Sequence, residues 1–334
     1  MTKSKQLPEK LLPSSGSGID NNIYKLPEKK ILIRSGSKIN LYLNVKKELR
    51  PDKYHEITSI MQSISLYDEL EISVKPLQEA ANVKKSSGMN NITIKCNNED
   101  IPLNEKNLVH KAAQLLLKKF KLENSFEVAI KIKKSIPVGS GLAGGSSNAA
   151  ATLIALNRLL NLGLSYDEMV CLGNEVGSDV PFCISGGTAL VEGKGEKITK
   201  LADIPFYWIV ISINGKKFSS GDVYEKFDAY GKSGKTSHLA LLKNLEDCNY
   251  KKFFSGISND LENVVASEDS MVTTLKNSSI ELGAMTAQMT GSGPAVFALC
   301  EDLITARKVM QGIKKISNKV FLTHTTTTCH DFLN

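Results

Sequence analysis

The sequence predicts an α+β chain folded as two domains. Three observations carry this: short strand-like runs come first, helical periodicities follow, and a second strand–helix–strand succession closes the chain. At 334 residues the chain is also longer than one comfortable core. Residues 1–29 are rich in Lys, Ser, Gly, Asn and Pro with no apolar period, and a disordered N-terminal tail is expected there. From Ile31 onward, apolar and polar residues alternate in three short strands, 39–45, 60–66 and 70–74, with a turn at Arg50-Pro51-Asp52.

A helix is expected over 107–120, where Leu108, Ala112, Leu115, Leu116 and Phe120 share one face. Residues 126–133 alternate apolar and charged side chains, as a strand with one wet face does. A helix over 147–160 is apolar on a broad face. Another, over 165–176, has Ser165 as N-cap, Glu168 in the capping-box position and Gly177 at its end, and a loop carrying Ser178-Asp179-Val180-Pro181 is expected after it. Gly186-Gly187 opens a strand over 188–192, and Gly193-Lys194-Gly195 turns the chain. The boundary is expected near residue 190, giving domains 30–190 and 191–334. The second domain reads as a strand at 208–213, helices around 223–227, 238–244 and 259–276, and a glycine turn at Met289-Thr290-Gly291-Ser292-Gly293-Pro294. A strand at 295–299, a helix at 305–316 and a strand at 320–323 follow, a split β-α-β layer of the ferredoxin-like kind.

No run approaches the roughly 18 consecutive apolar residues of a membrane span, and the N-terminus lacks the apolar block of a secretory signal, so a cytoplasmic enzyme is expected. The six cysteines have no C-x-x-C spacing and are expected to be reduced and buried. Of the net charge of +7, a surplus of three comes from six lysines against Glu9, Asp20 and Glu28 in residues 1–30. That excess, without arginine clusters or interleaved aromatics, suits a small anionic ligand better than nucleic acid. His324, Cys329 and His330 read as parts of a threonine-rich strand rather than a metal site.

The most informative stretch is Pro137-Val138-Gly139-Ser140-Gly141-Leu142-Ala143-Gly144-Gly145-Ser146-Ser147, a glycine-rich loop opening into an alanine-rich helix. Glycines let the backbone approach an anion, and the free N–H groups at a helix start attract phosphate oxygens. Gly139, Gly141 and Gly144 satisfy G-x-G-x-x-G, but the preceding strand alternates with charge where a buried dinucleotide-binding strand would be apolar throughout. The P-loop pattern fails because Gly145 stands where its lysine should be, so a phosphate-binding cation has to come from elsewhere.

Lys38-Ile39-Asn40, the loop with Asp179 downstream, and Gly291-Ser292-Gly293 stand in the order of the three motifs of the GHMP kinases, which this chain resembles. Four further stretches narrow the resemblance: Lys38-Ile39-Asn40-Leu41-Tyr42-Leu43, Arg50-Pro51-Asp52-Lys53-Tyr54-His55-Glu56, Gly177-Ser178-Asp179-Val180-Pro181-Phe182 and Asn259-Asp260-Leu261-Glu262. Over residues 30–330 they look like the 4-diphosphocytidyl-2-C-methyl-D-erythritol kinase family. The resemblance implies the two-domain GHMP kinase fold, with an ATP-binding N-terminal domain like domain 2 of ribosomal protein S5 and a ferredoxin-like C-terminal domain.

It implies ATP-dependent phosphorylation of the 2-hydroxyl of a cytidyl diphosphate methylerythritol in the non-mevalonate isoprenoid pathway, with Mg²⁺ accompanying ATP. Asp179 is then the base and Lys38 its electrostatic partner. Loop residues Pro137, Gly139, Ser140, Gly141, Leu142, Ala143, Gly144 and Gly145 hold the triphosphate. Ser146 or Ser147 adds a hydroxyl to phosphate or Mg²⁺, with Ser147 the one candidate metal ligand. Asn107 falls on the adenine side, although its local reading is a helix cap. Tyr54 stacks on the cytosine and His55 hydrogen-bonds it. Asn40 lies near the methylerythritol end, Phe218 is a cytosine-side candidate, and Thr290, Gly291, Ser292 and Gly293 close over the acceptor. Ala143, where many relatives have glycine, is tolerated if its φ stays negative. A monomer or homodimer with small-molecule partners only, and neither nucleic acid nor membrane, is expected. Two other readings keep the same residues: a GHMP kinase for homoserine, mevalonate or a sugar, and a catalytically silent GHMP-fold regulatory binding protein.

Overall fold

Two long antiparallel strands, β1 (Lys29–Leu49) and β2 (His55–Pro76), pair along nearly their whole length and organise the rest of the chain. The computed structural model describes residues 28–77, 91–216, 218–234 and 237–333; residues 1–27 of the expected tail lie outside them. The three short strands expected here are parts of these two. Pairing shifts at Gly36/Ser37, Asn40/Tyr42 and Val45/Leu49 re-phase the alternation, so one long strand reads in sequence as interrupted pieces.

β3 (Ile92–Cys96), α1 (Leu108–Lys119), β4 (Phe126–Lys133), α2 (Gly144–Leu159), α3 (Tyr166–Val176), α4 (Val180–Ser185), β5 (Thr188–Gly193) and β6 (Lys197–Lys200) follow. Then come β7 (Trp208–Ile213), α5 (Ser220–Tyr230), α6 (His238–Glu246), α7 (Tyr250–Ser255), β8 (Ser258–Asn259), α8 (Glu262–Glu268) and α9 (Met271–Glu281). β9 (Thr286–Met289), β10 (Val296–Cys300), α10 (Leu303–Ile313), β11 (Lys319–His324) and β12 (His330–Leu333) complete the chain. The first sheet runs β12-β1-β2-β4-β3, with β5 and β6 added beside β2 and β8 beside β1; the second, all antiparallel, runs β11-β7-β10-β9.

Most expected helices and strands are present, and two corrections have physical causes. The helix expected over 259–276 is broken: Ser258–Asn259 pair with β1, and α8 and α9 meet at Asp269, whose carboxylate caps Met271 N–H and accepts Lys216 N–H. The segment after Gly177, expected as a loop, holds the short α4 with Pro181 in its first turn. All six cysteines are free, but only Cys183, Cys300 and Cys329 are buried; Cys171 and Cys248 are exposed.

α1 and α2 cover the first sheet, packing Val109, Leu116, Leu153 and Leu156 on Leu70, Ile72, Val128 and Ile130. On the second sheet, α9 and α10 cover one face through Leu275 and Val309, while α6 and α7 cover the other through Leu241 and Phe253. Ile39 and Leu41 of β1 join that last cluster. Strand alternation therefore turns their neighbours Lys38 and Asn40 to the opposite side of β1, where Asn40 meets Thr290.

His330 on β12 is held below its ordinary value of 6.5, chiefly by burial. The unfolded chain therefore binds a proton that the folded chain refuses, and stability is lost as pH falls below about 6.5. Thermal unfolding between pH 7 and pH 5 should show a falling midpoint, and the fall should be shallower in His330→Gln. Equal slopes would exclude His330 as the source.

Candidate active site

A cleft of about 500 Å³ opens between the sheets, lined by Lys38 and Asn40 of β1, the loop Pro137–Gly145, Asp179, Phe218 and the turn at Gly291–Ser292. The loop is pinned at both ends. The buried Asp68 carboxylate accepts Ser135 N–H at 2.7 Å and Ile136 N–H at 2.8 Å and pairs with Lys134. Further on, Lys38 N–H donates to Leu142 O at 3.2 Å and Ala295 N–H to Ser140 O at 3.3 Å. Leu142 is fully buried beneath the loop, and the Ser140 hydroxyl donates to Pro137 O at 2.7 Å.

This path needs left-handed backbone at Gly139 (φ 66°), Gly141 (φ 80°) and Ala143 (φ 57°). Ala143 thus does not meet the condition of a negative φ on which its tolerance rested: it is the N-cap residue of α2, and a side chain in this region carries roughly 1–2 kcal/mol of strain. No side chain caps α2. Its first N–H groups, from Gly144, Gly145 and Ser146 beside the cleft, are the donors an anion would use. Ser147 departs from the expected role. It is 2% exposed and its Oγ accepts from Ser35 at 2.7 Å, because the helical period turns 147 into the core and leaves Ser146 at the cleft.

Asp179 precedes α4 as its N-cap residue but makes no side-chain cap bond. Pro181, second in the helix, has no N–H to offer it, so the carboxylate is left for the cleft. Its Oδ2 lies 3.8 Å from Lys38 Nζ. The ammonium, on a side chain 4% exposed, also donates to Asn40 Oδ1 at 2.7 Å. Asn40 is held in turn: its N–H donates to Thr290 Oγ1 at 3.0 Å and its Nδ2 to Ser59 Oγ at 2.9 Å.

Asn107 lines the cleft while capping α1, its side chain accepting Val109 N–H at 3.0 Å. Gly291 and Ser292 line the cleft, whereas Thr290 is fully buried behind them and Gly293 packs against Met289. Tyr54 and His55 stand one layer back. Tyr54 is 56% exposed beneath the Lys194 ammonium, 4.9 Å from the ring centre. His55 is buried, its Nδ1 at 2.8 Å from Lys46 O, its Nε2 at 3.2 Å from Asp228, and its ring stacked on Tyr224.

Lys194 and Tyr224 themselves line the cleft, as does Lys134, and none was expected from sequence. Burial and the nearby Asp179 charge raise the Tyr224 phenol, keeping it a neutral donor. No local signal separates Lys134 from the exposed lysines of β4. Lys194 stands between Gly193 and Gly195 in a turn, where residue type and spacing alone mark no site role.

Residues 107–187 match the GHMP kinases N terminal domain family, and residues 241–318 the GHMP kinases C terminal family. The 4-diphosphocytidyl-2-C-methyl-D-erythritol kinase of Clostridium novyi (strain NT) is 38% identical over 295 residues, covering 88% of this chain and 100% of that protein. The enzyme of the same name from Bacillus velezensis is 37% identical over 295 residues, 87% of this chain and 96% of that one. Among solved structures, a crystal structure of 4-(cytidine 5'-diphospho)-2C-methyl-D-erythritol kinase superposes with TM-score 0.67 at 27% identity, covering 90% of this chain and 99% of that chain. Homoserine kinase from Cytophaga hutchinsonii superposes with TM-score 0.69 at 18% identity, over 91% of this chain and 97% of that one, a likeness of fold alone.

Proposed function

This chain belongs to the 4-diphosphocytidyl-2-C-methyl-D-erythritol kinase family of the GHMP kinases, and from that membership we infer that it phosphorylates the 2-hydroxyl of 4-diphosphocytidyl-2-C-methyl-D-erythritol with ATP, in the non-mevalonate route to isoprenoid precursors. One observation supports the residue roles above all others: the Lys38–Asp179 pair stands in the same cleft as the uncapped start of α2.

Phosphoryl transfer asks a protein mainly to align two anionic partners, neutralise charge and take a hydroxyl proton. The α2 N–H groups and the loop Pro137–Gly145 hold the ATP phosphates, with Asn107 on the nucleoside side. Asp179 accepts a hydrogen bond from the acceptor hydroxyl and takes its proton. Lys38, 3.8 Å from that carboxylate, offsets the charge gathering on the transferred group. Mg²⁺ bound with ATP would neutralise the phosphates further. Among the described residues no cluster of three or more His, Cys, Asp or Glu forms a metal site, and the Asp179 carboxylate and the Ser146 hydroxyl, both lining the cleft, would hold the ion there. Among the described residues no helix is long and apolar enough to cross a membrane, and we place the enzyme in the cytoplasm, acting on small molecules as a monomer or homodimer.

The test is ADP release by the purified protein with Mg²⁺ and the cytidyl acceptor, beside acceptor-free, homoserine and mevalonate controls. Release with the cytidyl compound alone supports the reading. Release with another acceptor, or with none, overturns it.

Tyr54, exposed beneath the Lys194 ammonium of the cleft lining, is assigned to stacking on the cytosine. Removing such a stack costs about 1–3 kcal/mol. Tyr54→Ala should therefore raise the acceptor KM about tenfold while kcat stays within about twofold, as loss of binding remote from the reacting atoms does. An unchanged KM would move the cytosine site elsewhere.

A further inference from the structure

Asn259 lies outside the cleft, yet it is 95% buried and ties together three segments that meet there. Its Nδ2 donates to Met289 O at 2.9 Å and to Gly291 O at 2.8 Å, while its Oδ1 accepts Leu261 N–H at 3.0 Å. Two carbonyl oxygens at one end and an N–H at the other leave only one orientation of the amide. The residue is itself anchored, since Leu43 pairs with Asn259 where β1 meets β8, and Asp260 N–H donates to Leu43 O at 2.9 Å.

The two carbonyls flank Thr290. Fixing them fixes the Thr290 hydroxyl, which accepts Asn40 N–H at 3.0 Å and donates to Asn40 Oδ1 at 3.2 Å. The same Asn40 Oδ1 takes the Lys38 ammonium at 2.7 Å. Hydrogen bonds, continued by the backbone of the 289–291 turn, thus link Asn259 through Thr290 and Asn40 to Lys38; these four side chains are buried, while Gly291 is half-buried at the cleft.

We infer that Asn259 is a positioning residue for phosphoryl transfer, setting the Lys38 ammonium opposite Asp179 through the Thr290–Asn40 link. This rests on the kinase reading above. Neither Asn259 nor its neighbours in Asn259-Asp260-Leu261-Glu262 line the cleft, so Asn259 acts through the segments it holds, of which the 289–291 turn is the one hydrogen-bonded onward to Asn40 and Lys38. A small displacement of a charged group at a phosphoryl-transfer centre is worth on the order of 10²-fold in rate.

The experiment measures kcat at saturating ATP and cytidyl acceptor, both KM values and Tm for wild type, Asn259→Ala, Thr290→Val, the double variant and Val265→Ala. Val265→Ala opens a cavity in α8 while breaking none of the side-chain hydrogen bonds that hold the turn, and it matches any general loss of stability. Asn259→Ser, which retains an acceptor for Leu261 N–H, replaces the alanine variant if that does not fold. The inference expects Asn259→Ala to lower kcat tenfold or more with each KM within threefold, and to add little in the Thr290→Val background. Val265→Ala should keep kcat within twofold. If Asn259→Ala matches Val265→Ala, or its effect adds in full to that of Thr290→Val, Asn259 is structural only and the inference falls while the kinase reading stands. If wild type does not turn over the cytidyl acceptor, the kinase reading falls first and this one with it.

Discussion

Asp179→Asn should lower kcat by about 10²- to 10⁴-fold while leaving ATP affinity within about threefold, the range a positioned general base contributes. Asparagine has the shape of the carboxylate and is itself a good N-cap residue, so α4 should form as before. The loss falls on the proton acceptor and on the charge facing Lys38 Nζ at 3.8 Å. The α2 start, where the ATP phosphates are assigned, is untouched by the substitution. Steady-state kinetics with the cytidyl acceptor, paired with calorimetric titration of ATP, separates the two quantities. Full turnover in the variant would remove Asp179 from the mechanism, and a parallel loss of ATP binding would give it a nucleotide role instead.

Gly141→Ala should be the most damaging change in the loop. The residue has φ 80°, which costs an L side chain roughly 1–2 kcal/mol, and a Cβ there would collide with the carbonyl oxygen of Thr290. That oxygen belongs to the turn that Asn40 and Asn259 hold in place, so it has little room to give. A total destabilisation of about 2–4 kcal/mol is expected, with an ATP KM at least tenfold higher as the loop loses its path. Gly145→Ala is the contrast: its nearest neighbour would be Leu108 at 3.9 Å and its backbone is not left-handed, so its Tm should stay near wild type. Similar Tm losses in both variants would show that glycine content, rather than the approach to Thr290, sets the stability of the loop.

Local regularities made much of this protein legible in sequence. The capping box of Ser165 and Glu168 is present with both bonds made, and Asn107 caps α1 as its side chain allows. β4 alternates buried Val128, Ile130 and Ile132 with outward lysines, which is what separated it from a dinucleotide-binding strand. What failed to read were features that depend on partners distant in the chain. The helix expected over 259–276 breaks because Asn259 and Asp269 spend their side chains on other segments. Ser147 and Ser146 look alike as letters, and only the packing of α2 on β1 decides which hydroxyl faces the core.

The site divides along the same line. The glycine loop, Lys38, Asp179 and Tyr54-His55 are written in short motifs whose chemistry is carried by residue type and neighbour, and with Gly291-Ser292-Gly293 and Asn259-Asp260-Leu261-Glu262 they indicated the family. Tertiary structure decided that the Lys38 and Asp179 side chains, 141 residues apart, stand at 3.8 Å, that Tyr224 and Lys194 join the cleft, and that Thr290 bonds the Asn40 oxygen that also takes the Lys38 ammonium. The reason is physical: capping, turns and strand alternation are set within a few residues, whereas the meeting of two charges depends on how β1, α4 and the β9–β10 turn pack around shared cores.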